Sequence, residues 1–97
     1  MVTYLIVIGK TFTGYSAHCP DALGCASVGK SVEKVGANMK KALELHFEGM
    51  IEDGDLIPKP GGVEAYRDVM NELDFDKFLL APIQVDMSRL EYAVSQS

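Results

Sequence analysis

One stretch of the sequence has a helical period long enough to organise a domain, and it runs from Ser31 to Asp53. Val32, Val35, Met39, Ala42, Leu43, His46, Phe47 and Met50 recur at steps of three and four, so they share one face of a helix. Lys40, Lys41, Glu44, Glu48 and Glu52 take the other side. Lys40 and Glu44 are four apart and can pair, for about 0.2–0.5 kcal/mol. Ser31 is a good N-cap because its hydroxyl accepts a bond from an orphan amide of the first turn. Glu33 follows where a carboxylate suits the helix dipole. Lys34 stands where a capping box would want Glu, so the box is absent. Gly36 costs roughly 1 kcal/mol relative to Ala in a helix interior; close approach to a sheet would account for it. Asp53-Gly54 reads as the stop, and Pro58 and Pro60 prevent continuation.

A single helix of this kind must bury its apolar face on something, and the flanking segments read as a sheet. Thr3 to Lys10, "TYLIVIGK", is β-branched, aromatic-rich and apolar on both faces, as a central strand is. Thr13-Gly14 marks a turn. Tyr15 to Cys19 reads as the second strand of a hairpin, ended by Pro20-Asp21. Gly24 to Lys30 is a short third strand. Asp55 to Gly62 is a linker by its prolines and glycines, and Val63 to Leu73 has the spacing of a short second helix. Phe78 to Met87, "FLLAPIQVDM", is the last strand, and Pro82 assigns it to an edge or a bulge. Ser88 to Ser97 reads as a tail. The expected fold is α+β: a β-β-β-α-β mixed sheet with one long helix packed on one face, in a single domain over 1–97 with a core at 3–60 plus the strand at 78–87. The sheet face away from the helix is then uncovered, which points to a homodimer or higher homo-oligomer.

Bulk properties narrow the class. Ninety-seven residues hold one core. No apolar run reaches the roughly 18 residues of a membrane span, and no secretory signal precedes the first strand, so a cytoplasmic protein is expected. Cys19 and Cys25 are too few for a disulfide scaffold, and their spacing is not that of a zinc knuckle. The net charge of −5 is uneven. Between 52 and 76, eight acids (Glu52, Asp53, Asp55, Glu64, Asp68, Glu72, Asp74 and Asp76) face only Lys59 and Arg67, giving −6, while the rest of the chain carries +1. Such a stretch repels phosphate backbones and attracts a basic partner, so these eight are the candidate partner-binding residues.

The ordered set "YLIVIGKTFTGYSAHCPDALGCASVGKSVEKVGANMKKALELHFEGMIEDGDLIPKP" resembles the HicB family of type II toxin–antitoxin antitoxins. Its parts are Thr-Gly-Tyr-Ser-Ala, Pro-Asp-x-x-Gly-Cys, Gly-Lys-Ser, the helix with Asn38-Met39, Ala42 and His46-x-Glu48-Gly49-Met50, then Ile57-Pro58-x-Pro60. The resemblance implies a partial ribonuclease-H-like fold with the fourth strand parallel to the first. It also implies a cytoplasmic protein that binds and inhibits HicA, a small toxin that cleaves mRNA. Larger members carry a DNA-reading domain after the last strand. Here only about ten residues follow Met87, and the acidic charge disfavours phosphate contacts, so no direct DNA binding is expected.

The ribonuclease-H comparison raises the question of catalysis. Metal-dependent nucleases of that type need several carboxylates converging on divalent cations, and Thr3 to Lys10 has none. Glu44, Glu48 and Glu52 lie along a polar helix face, where solvated charge is the ordinary state. His46 sits beside the apolar face, as a packed histidine does. His18 and Cys19 are adjacent strand residues and point to opposite faces, so they cannot form a nucleophile pair. Pro20, Asp21 and Gly24 have a structural role as turn residues. The sequence therefore predicts a non-enzymatic protein without cofactor or metal. It is read as an antitoxin covering the RNA-binding face of a small basic HicA-type toxin; the alternative is an orphan oligomeric regulatory or scaffold module without a toxin.

Overall fold

The computed structural model describes residues 2–22, 24–61, 67 and 78–86. Its elements are β1 (Val2–Lys10), β2 (Tyr15–His18), β3 (Ala26–Gly29), α1 (Val32–Glu52) and β4 (Phe78–Val85). The four strands form one sheet in the order β3-β2-β1-β4, with the apolar β1 inside and β4 at an edge, as the run "TYLIVIGK" and Pro82 require. Of the expected second helix at 63–73 only Arg67 is described, and it is helical; the rest lies outside the described residues.

Strand direction corrects one expectation. Every neighbouring pair is antiparallel. β4 runs against β1 from Val2↔Val85 to Gly9↔Phe78, so the sheet is not mixed and its fourth strand is not parallel to its first. The reason lies in the connection. β3 ends and α1 begins at the end of the sheet that holds Lys10 and Tyr15. A helix of this length, about 30 Å, delivers the chain to the opposite end. A short link there would make β4 parallel to β1. The chain instead has residues 53–77 in which to travel back, and β4 starts beside Gly9.

One alternation divides the sheet into faces. Tyr4, Ile6 and Ile8 of β1, Ala17 of β2 and Val85 of β4 join Val35, Met39, Leu43 and Phe47 of α1 in the core. All of these are essentially without solvent contact. The Tyr4 and Phe47 rings meet at 5.2 Å with a 44° tilt, inside the range where tilted aromatic pairs attract. Val32, assigned by periodicity to this face, is 39% exposed. On the other face Val7 is 1% exposed, so that face is not bare throughout, while His18, Ala26 and Val28 are exposed.

The helix ends are set as its sequence dictates. Ser31 Oγ accepts the Lys34 amide at 3.0 Å. At the other end Gly54 takes φ +79°, its amide donates to Ile51 O at 3.1 Å, and the Asp55 amide donates to Met50 O at 2.8 Å. That is a Schellman closure, which needs a residue free to adopt positive φ.

Candidate partner-binding surface

The Schellman turn fixes where the first three acids of the candidate set stand. Glu52 ends α1, Asp53 caps it with its backbone N–H donating to Gly49 O at 3.0 Å, and Asp55 follows Gly54. All three side chains are exposed. They crowd the negative end of the helix dipole, and the last turn holds no basic residue. Each carboxylate there is unfavourable to the fold by about 0.3–1 kcal/mol. A cationic surface docked at this corner would reverse that sign. Glu64, Asp68, Glu72, Asp74 and Asp76 lie outside the described residues.

The corner is braced by the segment that leaves it. Tyr4 Oη donates to Pro58 O at 2.6 Å, and the Gly61 amide donates to Asp21 Oδ2 at 3.0 Å. Ile57-Pro58-x-Pro60 is thus held between the start of β1 and the turn after β2. Burial, then the neighbouring Cys19 and Asp21, push the Tyr4 phenol above its ordinary range. Asp21 was legible as a turn former, but its bond to a residue 40 positions away was not. The turn itself closes through Ala22 N to Cys19 O at 3.0 Å and Cys25 N to Ala22 O at 3.1 Å, with Gly24 at φ +83°. Cys19 and Cys25 are buried and not in a disulfide. Burial, then Cys19, raise the Cys25 thiol above its usual value.

Neither sheet edge presents a complete hydrogen-bonding ladder. Cys19 Sγ engages Leu5 O at 3.5 Å from the β2 side, so the peptide groups of Leu5 face β2. Pro82, opposite Leu5, therefore turns its donorless nitrogen to the outer edge of β4. On β3 the same alternation turns Val28 outward, and Asn38 Nδ2 donates to its carbonyl at 2.8 Å. A blocked acceptor on one edge and a missing donor on the other discourage strand addition.

The remaining candidates lie apart from this corner. His46 is half-buried and packs against Phe47 with ring centroids 6.0 Å apart. His18 is exposed on the helix-free face. Glu44 Oε2 accepts the Asp86 amide at 3.0 Å and so fastens the end of β4 to the helix. Among the described residues no three His, Cys, Asp or Glu side chains converge on a possible metal position. No helix among them is long and apolar enough to cross a membrane.

The described residues form a small α+β scaffold with exposed acids at the end of its one long helix. The model of the HicB-like antitoxin of bacterial toxin–antitoxin systems matches residues 4–96, and the chain belongs to that family. It is 34% identical over 87 residues to an uncharacterized 14.9 kDa protein of Haemophilus phage HP1, covering 90% of this chain and 63% of the phage protein's length. The fold is similar to a chain of the solved HicA3–HicB3 toxin–antitoxin complex, with TM-score 0.72 and 25% identity over 88% of this chain and 99% of that one. It is also similar to the Burkholderia pseudomallei antitoxin HicB, with TM-score 0.75 and 24% identity over 91% of this chain and 66% of that one.

Proposed function

We propose that this protein is an antitoxin that binds a small basic, RNA-cleaving toxin of the HicA type and inhibits it by covering its RNA-binding face. The observation that carries the reading is the match to a chain of a HicA3–HicB3 complex over nearly all of both chains. The acidic corner supplies the physical means. A toxin that grips RNA phosphates presents a cationic surface, and Glu52, Asp53 and Asp55 offer it carboxylates in a fixed arrangement, with Glu64, Asp68, Glu72, Asp74 and Asp76 adding charge within the following 25 residues. Complementary charge speeds encounter and favours the right partner. Inhibition by occlusion asks no chemistry of the antitoxin.

The test is a pull-down from host lysate at low and high salt, followed by an RNA-cleavage assay on the recovered protein. A small basic protein whose cleavage stops on adding this chain is expected, with association slowed by salt. Recovery of the chain with no such protein, at either salt, overturns the reading. Inhibition with an association rate indifferent to salt overturns the role given to the acids.

A further inference from the structure

The outer face of α1 carries two residues that the fold does not account for. Leu43 and Phe47 are fully buried against the sheet. Leu45 lies two residues from both and Gly49 two residues from Phe47. Two residues turn a helix by about 200°, so Leu45 and Gly49 face away from the sheet. Leu45 is accordingly 67% exposed. Among the described residues, a Cβ on Gly49 would meet nothing within 4 Å. Neither packing nor a turn requires the glycine, and alanine would favour the helix.

Both positions belong to one stripe. Leu45, Gly49, Glu52 and Asp53 follow one another at steps of four, three and one, so they are neighbours along one side of the helix. The stripe is about 12 Å long. It starts at an apolar side chain, crosses bare backbone at Gly49 and ends in the carboxylates of the acidic corner. Lys41, one turn before Leu45, bounds it on the other side. The glycine weakens the isolated helix and leaves room for another surface to come within backbone distance of it.

Charge selects the occupant. Glu52 and Asp53 are exposed, and the last turn holds no basic residue. A surface docked along the stripe must then be apolar where it meets Leu45 and basic where it meets the corner. We infer that this outer stripe of α1 is where the basic toxin packs, with Leu45 as its apolar contact and Gly49 as the point of closest approach. The inference rests on the proposed function for the partner's identity, and it extends the contact from the acids along the helix.

The probe is the small basic protein recovered by the pull-down from host lysate. It is titrated calorimetrically against variants of the full chain, with thermal melts alongside. Gly49→Ala should raise Tm yet weaken binding roughly tenfold. Gly49→Gln should weaken it further while melting no lower than wild type, because glutamine also favours a helix over glycine. Leu45→Ala should weaken binding roughly tenfold with Tm nearly unchanged. Ala37→Gln adds bulk at an exposed position of the same helix outside the stripe and should leave Kd within about twofold. A glycine variant that is more stable and binds less well marks a contact, since a purely structural role moves both readouts the same way. Gly49→Gln and Leu45→Ala proteins that bind as tightly as wild type overturn this inference and leave the antitoxin reading standing. Equal losses from Gly49→Gln and Ala37→Gln overturn the placement on the stripe. If Gly49→Gln separates copies of the chain and leaves the toxin's affinity unchanged, the stripe is a self-contact and the inference fails. Recovery of no basic protein overturns the antitoxin reading and this inference with it.

Discussion

Replacing Gly29 by alanine should unseat the start of α1. The added Cβ would lie 2.5 Å from Val35 N, 2.8 Å from Val35 Cα and 3.0 Å from Lys34 C. All three are backbone atoms of the helix's first turns, and no rotamer change relieves them. To reach an ordinary contact of 3.4 Å, strand and helix must separate by about 0.9 Å. The helix resists, because Val35, Met39, Leu43 and Phe47 are fully buried beneath it. The strand end resists too: a Cβ on Gly14, across the hairpin, would already meet Gly29 O at 2.6 Å. Overpacking of this kind costs about 1–3 kcal/mol. Alanine recovers about 0.4–1 kcal/mol by restricting the unfolded chain. The net loss, about 1.3 kcal/mol at the centre of these ranges, corresponds to a fall in Tm of about 5–10 °C for a domain of this size. Gly49→Ala is the matched control. It lies inside the same helix with nothing within 4 Å of its added Cβ, so it should gain about 1 kcal/mol and raise Tm. Calorimetry at one protein concentration decides the matter. A Gly29→Ala protein that melts at or above wild type would refute the reasoning.

Three further outcomes rest on the same geometry. Ser31→Ala removes the acceptor for the Lys34 amide and should cost about 1 kcal/mol, seen as faster amide exchange in the first turn of α1. The raised Tyr4 phenol makes stability pH-dependent at the alkaline side. The folded chain holds the proton longer than the unfolded one, so the contribution is whole below the unfolded phenol's pKa of about 10 and is lost as pH rises through it toward the folded value. Cys25, raised by burial and then by Cys19, loses its contribution the same way where thiols ionise. Urea midpoints across alkaline pH should show both limbs, and Tyr4→Phe should abolish the phenol limb alone. Glu52→Gln and Asp55→Asn should each stabilise the isolated protein by about 0.3–1 kcal/mol, by relieving the helix dipole, while weakening its hold on a basic partner; thermal melts and binding titrations on one variant read both signs.

The helix was legible nearly to the residue because its signals are local. Ser31, the apolar period and Asp53-Gly54 each act within a turn or two of themselves. The edge position of β4 was legible from Pro82 for the same reason. Its direction was not, because a connection of 25 residues can enter the sheet from either end. Nor could local reasoning find the bonds from Asp21 to Gly61, Tyr4 to Pro58 and Asn38 to Val28, since each joins separately read segments. Polarity alone marked Glu44, Glu48 and Glu52 as one solvated face. The fold separates them: Glu44 holds the end of β4, whereas Glu52 belongs to the exposed corner.

That separation bears on how such a small chain recognises anything. Strand addition is the simplest route by which a sheet acquires a partner, and here it is obstructed on both sides, by Asn38 on β3 and Pro82 on β4. Among the described residues, side chains on α1 and on the segment leaving its C-terminal end are exposed and free of that obstruction. The helix carries two unlike surfaces: an apolar groove flanked by one charge of each sign near its start, and carboxylates alone at its end. The carboxylates at the helix end have no basic residue in the last turn to offset them. The dipole opposes the acids at the helix end, so their placement weakens the isolated fold. A surface that is unfavourable alone and favourable against a basic partner couples binding to stability. On the proposed function, the protein should therefore be more resistant to unfolding with a basic toxin bound than without it.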